Sequence, residues 1–453
     1  MMALGELAGL LGGELRNGDA AFDGVTIDSR TIAGGELFVA LRGERHDAHD
    51  FLAQVRSAGA AAAMVSRWCD VALPQLRIDD TLDGLQRLSA HWRTRFTSPV
   101  VAVTGSNGKT TTKQMLAAVF TARGPVHATR GNLNNHIGVP LTLLGLRAEH
   151  RTAVIEMGAN HAGEIATLAA LARPDVGVVT QAGDAHLEGF GSREGVAHAK
   201  GELFAALGNA GVAVINADDR YASLWRGLAS RGSRIEFGID AEADVRAQQI
   251  EPSGDGAGSR FVLLTPSGRA TVRLMLPGRH NVMNALAAAA CGVALGLGAE
   301  DIARGLAAVE PAGGRLIWKR TPEGARVLDD SYNANPGSLR AAIELLSQLR
   351  AHRCLVLGDM AELGAEAPQL HFEAGRQARS LGVERLYALG RLAAEAARGF
   401  GPGAEVFDDV AALTGALRAR LDADTVVLVK GSRSARMERV VEQLTGGAQG
   451  GTH

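Results

Sequence analysis

Lysine is scarce in this chain of 453 residues: of 47 basic residues, only Lys109, Lys113, Lys200, Lys319 and Lys430 are lysines. A compact or titratable amine cannot be replaced by a guanidinium, so in an arginine-preferring chain each surviving lysine marks a place to look for chemistry. Lys113, on a helix face, and Lys319, beside Trp318, lie in no motif and are expected to be chance survivors. Cysteine is scarcer still. Cys69, Cys291 and Cys354 stand far apart, which excludes a disulfide framework or a zinc module and fits buried thiols of a reducing cytosol, with no disulfide expected. Charge of one sign is also lacking: a net charge of -2 and a pI near 6.7 give nucleic-acid binding no electrostatic basis, although a small anionic substrate needs only a local basic pocket. The longest apolar run, residues 285–299, consists mostly of small residues and is too short to cross a bilayer. It is expected to be a buried helix packed closely against a sheet. The first eleven residues have no basic start and carry Glu6 inside their apolar stretch, so they are not expected to act as a secretory signal.

What the chain does have is Val-Val-Ala-Val-Thr-Gly-Ser-Asn-Gly-Lys-Thr-Thr-Thr over residues 100–112. An apolar strand running into a glycine turn, with a helical pattern from Lys113 to Phe120 behind it, places main-chain N–H groups and a helix N-terminus around an anion. Gly105, Ser106, Asn107, Gly108, Lys109, Thr110 and Thr111 therefore form a candidate site for ATP. Lys109 would reach the β- and γ-phosphates, and Thr110 would ligate Mg2+. Only Ser106 and Asn107 separate the two glycines, so this P-loop is shorter than the usual G-x-x-x-x-G-K-[ST].

The length suits two to four domains, and the patterns divide it into three. Residues 1–97 mix short strands (24–28, 36–41) with a helix at 50–58, and Ser98-Pro99 marks a boundary. From residue 100 strands at 100–103, 152–156, 176–180 and 211–216 alternate with helices, the pattern of a mostly parallel sheet. A polar, glycine-rich stretch (233–276), a long helix from Asn281 and a linker at 311–314 follow. Beyond it the alternation resumes, with strands at 326–329, 354–357, 385–388 and 426–429. The predicted fold class is α/β with three domains: a small mixed N-terminal domain (1–97), a central P-loop ATP-binding domain with a parallel sheet (98–313), and a C-terminal Rossmann-like domain (314–453) binding the amino substrate. The last lacks a G-x-G-x-x-G fingerprint, so no dinucleotide is assigned to it. Residues 446–453 are expected to form an unstructured tail.

Three further segments carry chemistry. Glu156 ends a strand where open α/β sheets place ligands, and it is a candidate for Mg2+. His186 lies in the polar loop after the next strand, a candidate metal ligand or phosphate contact. Lys200 follows in Ala-Lys-Gly-Glu-Leu-Phe on a helix.

Together with Asn216-Ala217-Asp218-Asp219 and Gly278-Arg279-His280-Asn281-Val282-Met283-Asn284-Ala285, these motifs resemble, in order and over essentially the whole chain, the Mur ligase family. The family comprises ATP-dependent amide-forming enzymes related to folylpolyglutamate synthase. Residues 131–144 and Asp330-Ser331-Tyr332-Asn333-Ala334-Asn335-Pro336 are similar to the member that adds D-alanyl-D-alanine to UDP-N-acetylmuramoyl-tripeptide. The Asp-Asn-Pro-Arg segment expected of the member adding a diamino acid is missing from the last domain.

The resemblance implies that ATP phosphorylates a substrate carboxylate and that an amine attacks the acyl phosphate. It implies two Mg2+ ions, the first held by Thr110 and Glu156, the second by His186 and by Lys200 as a CO2-derived carbamate. It places Asn281 and Asn284 near the adenine and Arg315 and Asp330 at the nucleotide's phosphate and ribose. Ser29, Arg30, Arg42 and Gly43 would hold the uridine diphosphate, and Asn132 and Asn135 the acceptor nearer the reaction centre. Asn333, Asn335, Asp359, Lys430 and Arg433 would receive the dipeptide. The implied enzyme is a cytoplasmic monomer with no membrane insertion and no nucleic-acid partner. Alternatives are a relative with another amino substrate, such as a folylpolyglutamate synthase or cyanophycin-type enzyme, and a nucleotide-driven protein switch.

Overall fold

The computed structural model describes residues 1–184, 187–253, 257–311 and 313–446. Four sheets organise them. Near the N-terminus, Met2–Ala3 pairs with Ala21–Phe22, and a separate five-stranded sheet runs in the order Glu14–Arg16, Gln75–Arg77, Ala62–Val65, Glu36–Val39, Gly24–Thr26. Its last four strands are parallel. The helix expected at 50–58 is Leu52–Ser57, entered through a tight turn at Ala48–Phe51.

The central sheet has nine strands, in the order Gly268–Leu274, Ser259–Thr265, Val245–Pro252, Ser233–Gly238, Val212–Asn216, Val176–Val179, Val100–Thr104, Thr152–Glu156, Val126–Ala128. Pairing is parallel from Val126–Ala128 through Val245–Pro252, and the glycine-rich stretch supplies two antiparallel strands at the far edge. Val100–Thr104 is buried at every residue, as a strand covered by helices on both faces must be. Val101 and Val103 pack with Met115, Leu116 and Val119 of the helix Lys109–Phe120, whereas Val100 and Ala102 pack with Val139 and Leu143 on the other face. The apolar run 285–299 does not form one helix. Arg279–Ala294 stops before Gly296, whose φ of 78° turns the chain, and a new helix begins at Ala299.

In the C-terminal sheet the order is Ile317–Arg320, Arg326–Asp330, Thr425–Lys430, His352–Gly358, Arg385–Leu389, Ala404–Phe407, parallel after the first pair. The chain leaves Arg326–Asp330 for His352–Gly358 and later inserts Thr425–Lys430 between them. The C-terminal ends of these three strands therefore stand side by side at the point where strand order reverses, the place where such sheets take ligands. Residues 447–453 of the expected tail lie outside the described residues, and Gly446 closes the helix Glu438–Thr445 in the left-handed conformation. No described helix is long and apolar enough to cross a membrane.

The helix Arg193–Ala205, which carries Lys200, is held in place by Trp225. This fully buried indole packs edge-on against Phe204 with centroids 6.1 Å apart, and its Nε1–H donates to the Ala197 carbonyl at 3.0 Å. Trp225→Ala is expected to cost about 3–5 kcal/mol through the cavity it leaves, read as a lowered unfolding midpoint, and to free the Lys200 helix.

Candidate functional site between the central and C-terminal domains

The helix after Val100–Thr104 begins at Lys109, four residues before the point read from the sequence. The cause is Gly108, a left-handed N-cap with φ 82° and no side chain to satisfy the first amides, which are left for an anion. Gly105, at φ 141°, is equally constrained: a Cβ there would fall 1.9 Å from Thr180 Oγ1, and one on Gly108 would fall 2.2 Å from Asn284 Oδ1. The loop is braced by Ser106 N–H donating to the Gln181 carbonyl at 2.9 Å and Thr180 Oγ1 donating to the Asn107 carbonyl at 2.6 Å. Lys109 folds back and donates to the Gly105 carbonyl at 2.7 Å. Desolvation holds its ammonium below the usual lysine range, with Glu156 opposing that shift and Arg315 adding to it.

Glu156, 2% exposed, completes this wall. Its Oε1 accepts from Asn134 Nδ2 at 2.8 Å and from Thr110 Oγ1 at 3.3 Å. Its Oε2 has no hydrogen-bond partner among the described residues, although Lys113 Nζ lies 3.3 Å away. Lys113 is therefore not the chance survivor that its helix-face position suggested: it is buried against this carboxylate and donates to the Gly131 carbonyl at 3.2 Å. Among the described residues no three His, Cys, Asp or Glu side chains converge as a metal cluster. An orphaned carboxylate oxygen beside a threonine hydroxyl, next to free helix amides, is nevertheless a donor set that fits Mg2+ carried in with a nucleotide.

The opposite wall comes from the last domain, and the cavity between the two is about 1250 Å³. Arg315 Nη2 donates to Thr110 Oγ1 at 3.2 Å while its guanidinium lies 4.2 Å from the Tyr332 ring centroid. Asn335 caps the helix Pro336–Ser347 and its Nδ2 donates to Asn107 Oδ1 at 2.7 Å. Asp330 forms an ion pair with Lys430; burial pushes its carboxyl up, and Lys430 opposes that shift. Lys430 also donates to the Asn333 carbonyl at 2.9 Å. Arg433 lies 5.5 Å from Tyr332 on its own side of the cleft, its N–H donating to Asn333 Oδ1 at 3.4 Å.

Asn281 and Asn284 line the cavity from the helix Arg279–Ala294, with Asn281 Nδ2 on the Pro277 carbonyl at 2.8 Å and Asn284 Nδ2 on Asn281 Oδ1 at 3.2 Å. Asn132 and Asn135 line it too, Asn135 Oδ1 accepting from Gly138 N–H at 2.9 Å at the start of the helix Gly138–Leu144. Lys200 lies just behind this wall, 1% exposed, donating to the Ala159 carbonyl at 3.2 Å. Burial, and then the positive charge of Lys109, lower its pKa to about 7, against the pull of Glu164 and Glu202. His186 lies outside the described residues.

Not every sequence candidate meets here. Ser29, Arg30, Arg42 and Gly43 do not line the cavity. Arg30 is held by Asp28 at 2.8 and 2.7 Å, Arg42 lies 3.5 Å from Asp47, Gly43 N–H donates to the His46 carbonyl at 2.9 Å, and the Ser29 carbonyl accepts from Gln54 at 3.4 Å. Asp359 faces a smaller neighbouring cavity, its Oδ1 accepting from Ala393 N–H at 2.7 Å. Sequence reasoning missed Asn134, His280 and Tyr332, all on the main wall. The asparagine-rich segment 132–135 and the His-Asn pair at 280–281 were the available signals.

Comparison with known proteins agrees with this geometry. Three family descriptions match: "Mur ligase family, catalytic domain" over residues 21–88, "Mur ligase middle domain" over 103–292 and "Mur ligase, glutamate ligase domain" over 314–433. The UDP-N-acetylmuramoyl-tripeptide--D-alanyl-D-alanine ligase of Escherichia coli (strain K12) is 45% identical over 446 residues, 98% of both chains. A crystal structure of MurF from Acinetobacter baumannii superposes with a TM-score of 0.91 at 37% identity over 98% of both chains. The MurF ligase of Thermotoga maritima in complex with ADP gives a TM-score of 0.83 at 28% identity, over 93% of this chain and 97% of that one. With its three sheet-bearing regions, its P-loop cleft and full-length relatives at this level of identity, the chain belongs to the Mur ligase family.

Proposed function

We propose that this protein is the ATP-dependent ligase that joins D-alanyl-D-alanine to UDP-N-acetylmuramoyl-tripeptide in cytoplasmic peptidoglycan precursor synthesis, working as a monomer. The observation that carries this is a cleft with a phosphate loop on one wall and cationic side chains on the other, in a chain 45% identical over nearly its whole length to a relative of that name. The domains would divide at 1–97, 98–313 and 314–453.

In this reading a carboxylate oxygen of the tripeptide attacks the γ-phosphorus of ATP and ADP leaves. The dipeptide amine then attacks the acyl carbon, and phosphate departs with the original carboxylate oxygen. Lys109 would exchange the Gly105 carbonyl for the β- and γ-phosphate oxygens, and the free amides from Gly108 onward would hold the same anion. Arg315, already on Thr110, would approach the phosphates as the last domain closes. Thr110 and Glu156 would hold one Mg2+, with His186 and carbamylated Lys200 holding a second; the ions would supply charge neutralisation at the transferring phosphoryl group. Asn281 and Asn284 would receive the adenine and Asp330 the ribose. Ser29, Arg30, Arg42 and Gly43 would bind the uridine diphosphate, Asn132 and Asn135 the peptide near its carboxylate, and Asn333, Asn335, Asp359, Lys430 and Arg433 the dipeptide. For Lys430 to do so, its ion pair with Asp330 must be shared or exchanged.

The test is phosphate release from ATP with each substrate alone and with both, with mass analysis of the product. Release that needs both and yields the UDP-pentapeptide supports the ligase; release indifferent to the dipeptide refutes it. Lys109→Ala is expected to lower kcat by about 10²–10³ with folding intact by circular dichroism. Lys200 is protonated below its pKa of about 7, and only the neutral amine reacts with CO2. CO2-stripped protein is therefore expected to recover activity with bicarbonate above this pH and progressively less as pH drops through it, and Lys200→Ala is expected to be unresponsive to bicarbonate.

A further inference from the structure

One buried cation on the P-loop helix has no part in the reaction set out above. Lys113 lies one turn beyond Lys109, with a side chain 7% exposed against the 2% of Glu156. Its Nζ touches two other segments at once, Glu156 Oε2 at 3.3 Å and the Gly131 carbonyl at 3.2 Å. Gly131 and Asn134 belong to the same loop, between the strand Val126–Ala128 and the helix Gly138–Leu144. That loop returns to Glu156 through Asn134 Nδ2 at 2.8 Å, and the Asn134 carbonyl accepts from Gly158 N–H at 2.8 Å, two residues past the carboxylate. Helix, strand end and loop thus meet at one carboxylate, and Lys113 contacts the other two from the first. Lys113 lies four residues after Lys109 and three after Thr110 on the same helix, so the phosphate lysine, the threonine hydroxyl and this ammonium move as one body.

We propose that Lys113 is a positioning residue for the ligase reaction. It is the resident counter-charge of Glu156, and through Gly131 it fixes the loop 131–135, whose Asn132 and Asn135 face the cavity, to the P-loop helix. The loop's part in this rests on the assignment of the acceptor peptide to Asn132 and Asn135 given above. The pairing with Glu156 does not. A buried carboxylate loses its hydration and needs a charge nearby. A compact ammonium can divide its donors between a carboxylate and a carbonyl, whereas a planar guanidinium has a fixed fork.

Thermal unfolding without substrates tests the pairing. Lys113→Met is expected to lower Tm by roughly 5–10 °C, as loss of one partner of a buried pair does in a domain of this size. Lys113→Arg, which keeps the charge, is expected to recover most of that. On a Glu156→Gln background, where no carboxylate remains to be paired, Lys113→Met is expected to cost little or nothing. An equal drop on both backgrounds overturns the counter-charge role, and the comparison of Glu156→Gln with the double variant serves alone if Lys113→Met does not accumulate folded. Steady-state kinetics test the loop. Lys113→Arg is expected to raise KM for the acceptor nucleotide by about tenfold or more, the effect of losing a charged hydrogen bond, while KM for ATP holds. An unchanged acceptor KM overturns the link to the loop. A wild-type protein that does not turn over the acceptor at all counts against the ligase reading and leaves the unfolding comparison standing.

Discussion

A carboxylate at the end of a buried parallel strand has lost its water, and Glu156, 2% exposed, must be satisfied by what surrounds it. Around it the structure sets a threonine hydroxyl, an asparagine amide and an ammonium, each from a different residue of the P-loop helix or the neighbouring loop. One oxygen still lacks a hydrogen bond among the described residues. Burial of this one charge fixes the helix, the loop and the strand end relative to each other, and the phosphate loop inherits that geometry. The glycines do the rest: with Thr180 and Asn284 pressed against Gly105 and Gly108, the loop has no room for a side chain that would fill the anion's place.

Across the cleft Arg315 reaches Thr110 and Asn335 reaches Asn107, and both hydrogen bonds end on the phosphate loop itself. Both residues follow the linker into the last domain; the neutral Asn335 bond contributes only about 1 kcal/mol and the charged Arg315 bond about 1.5–3 kcal/mol. A nucleotide contacting both walls could therefore replace them and shift the domain arrangement with its own binding energy. The Arg315 guanidinium stacked on Tyr332, with Arg433 on the same ring, keeps two cations at the cleft where phosphate charge would develop.

Much of this was legible in the sequence, for physical reasons that differ by residue. Thr152–Glu156 was read with its observed boundaries because a strand buried on both faces is an unbroken apolar run that ends at a charge. Val126–Ala128 was missed because a three-residue edge strand has no periodicity to detect. The start of the P-loop helix was misplaced because Gly108 caps it by conformation, without the Ser or Asp that signals a cap. The run 285–299 looked like one helix because small apolar residues continue through the turn at Gly296. Lys113 carries no signal in the sequence because its partners, Glu156 and Gly131, lie 43 and 18 residues away along the chain, and no local pattern announces a long-range pair. For the same reason the sequence could nominate Arg315 and Thr110 separately but not their contact across 205 residues.

The central claim is that the cleft makes an amide by first moving a phosphoryl group onto the acceptor's carboxylate. Acceptor nucleotide labelled with 18O in the reacting carboxylate, turned over with ATP and D-alanyl-D-alanine, tests this directly through the mass of the released phosphate. Phosphate carrying one 18O for each amide formed is the predicted result. Unlabelled phosphate accompanying amide formation would contradict the account, because the carboxylate oxygen would then never have been bonded to phosphorus.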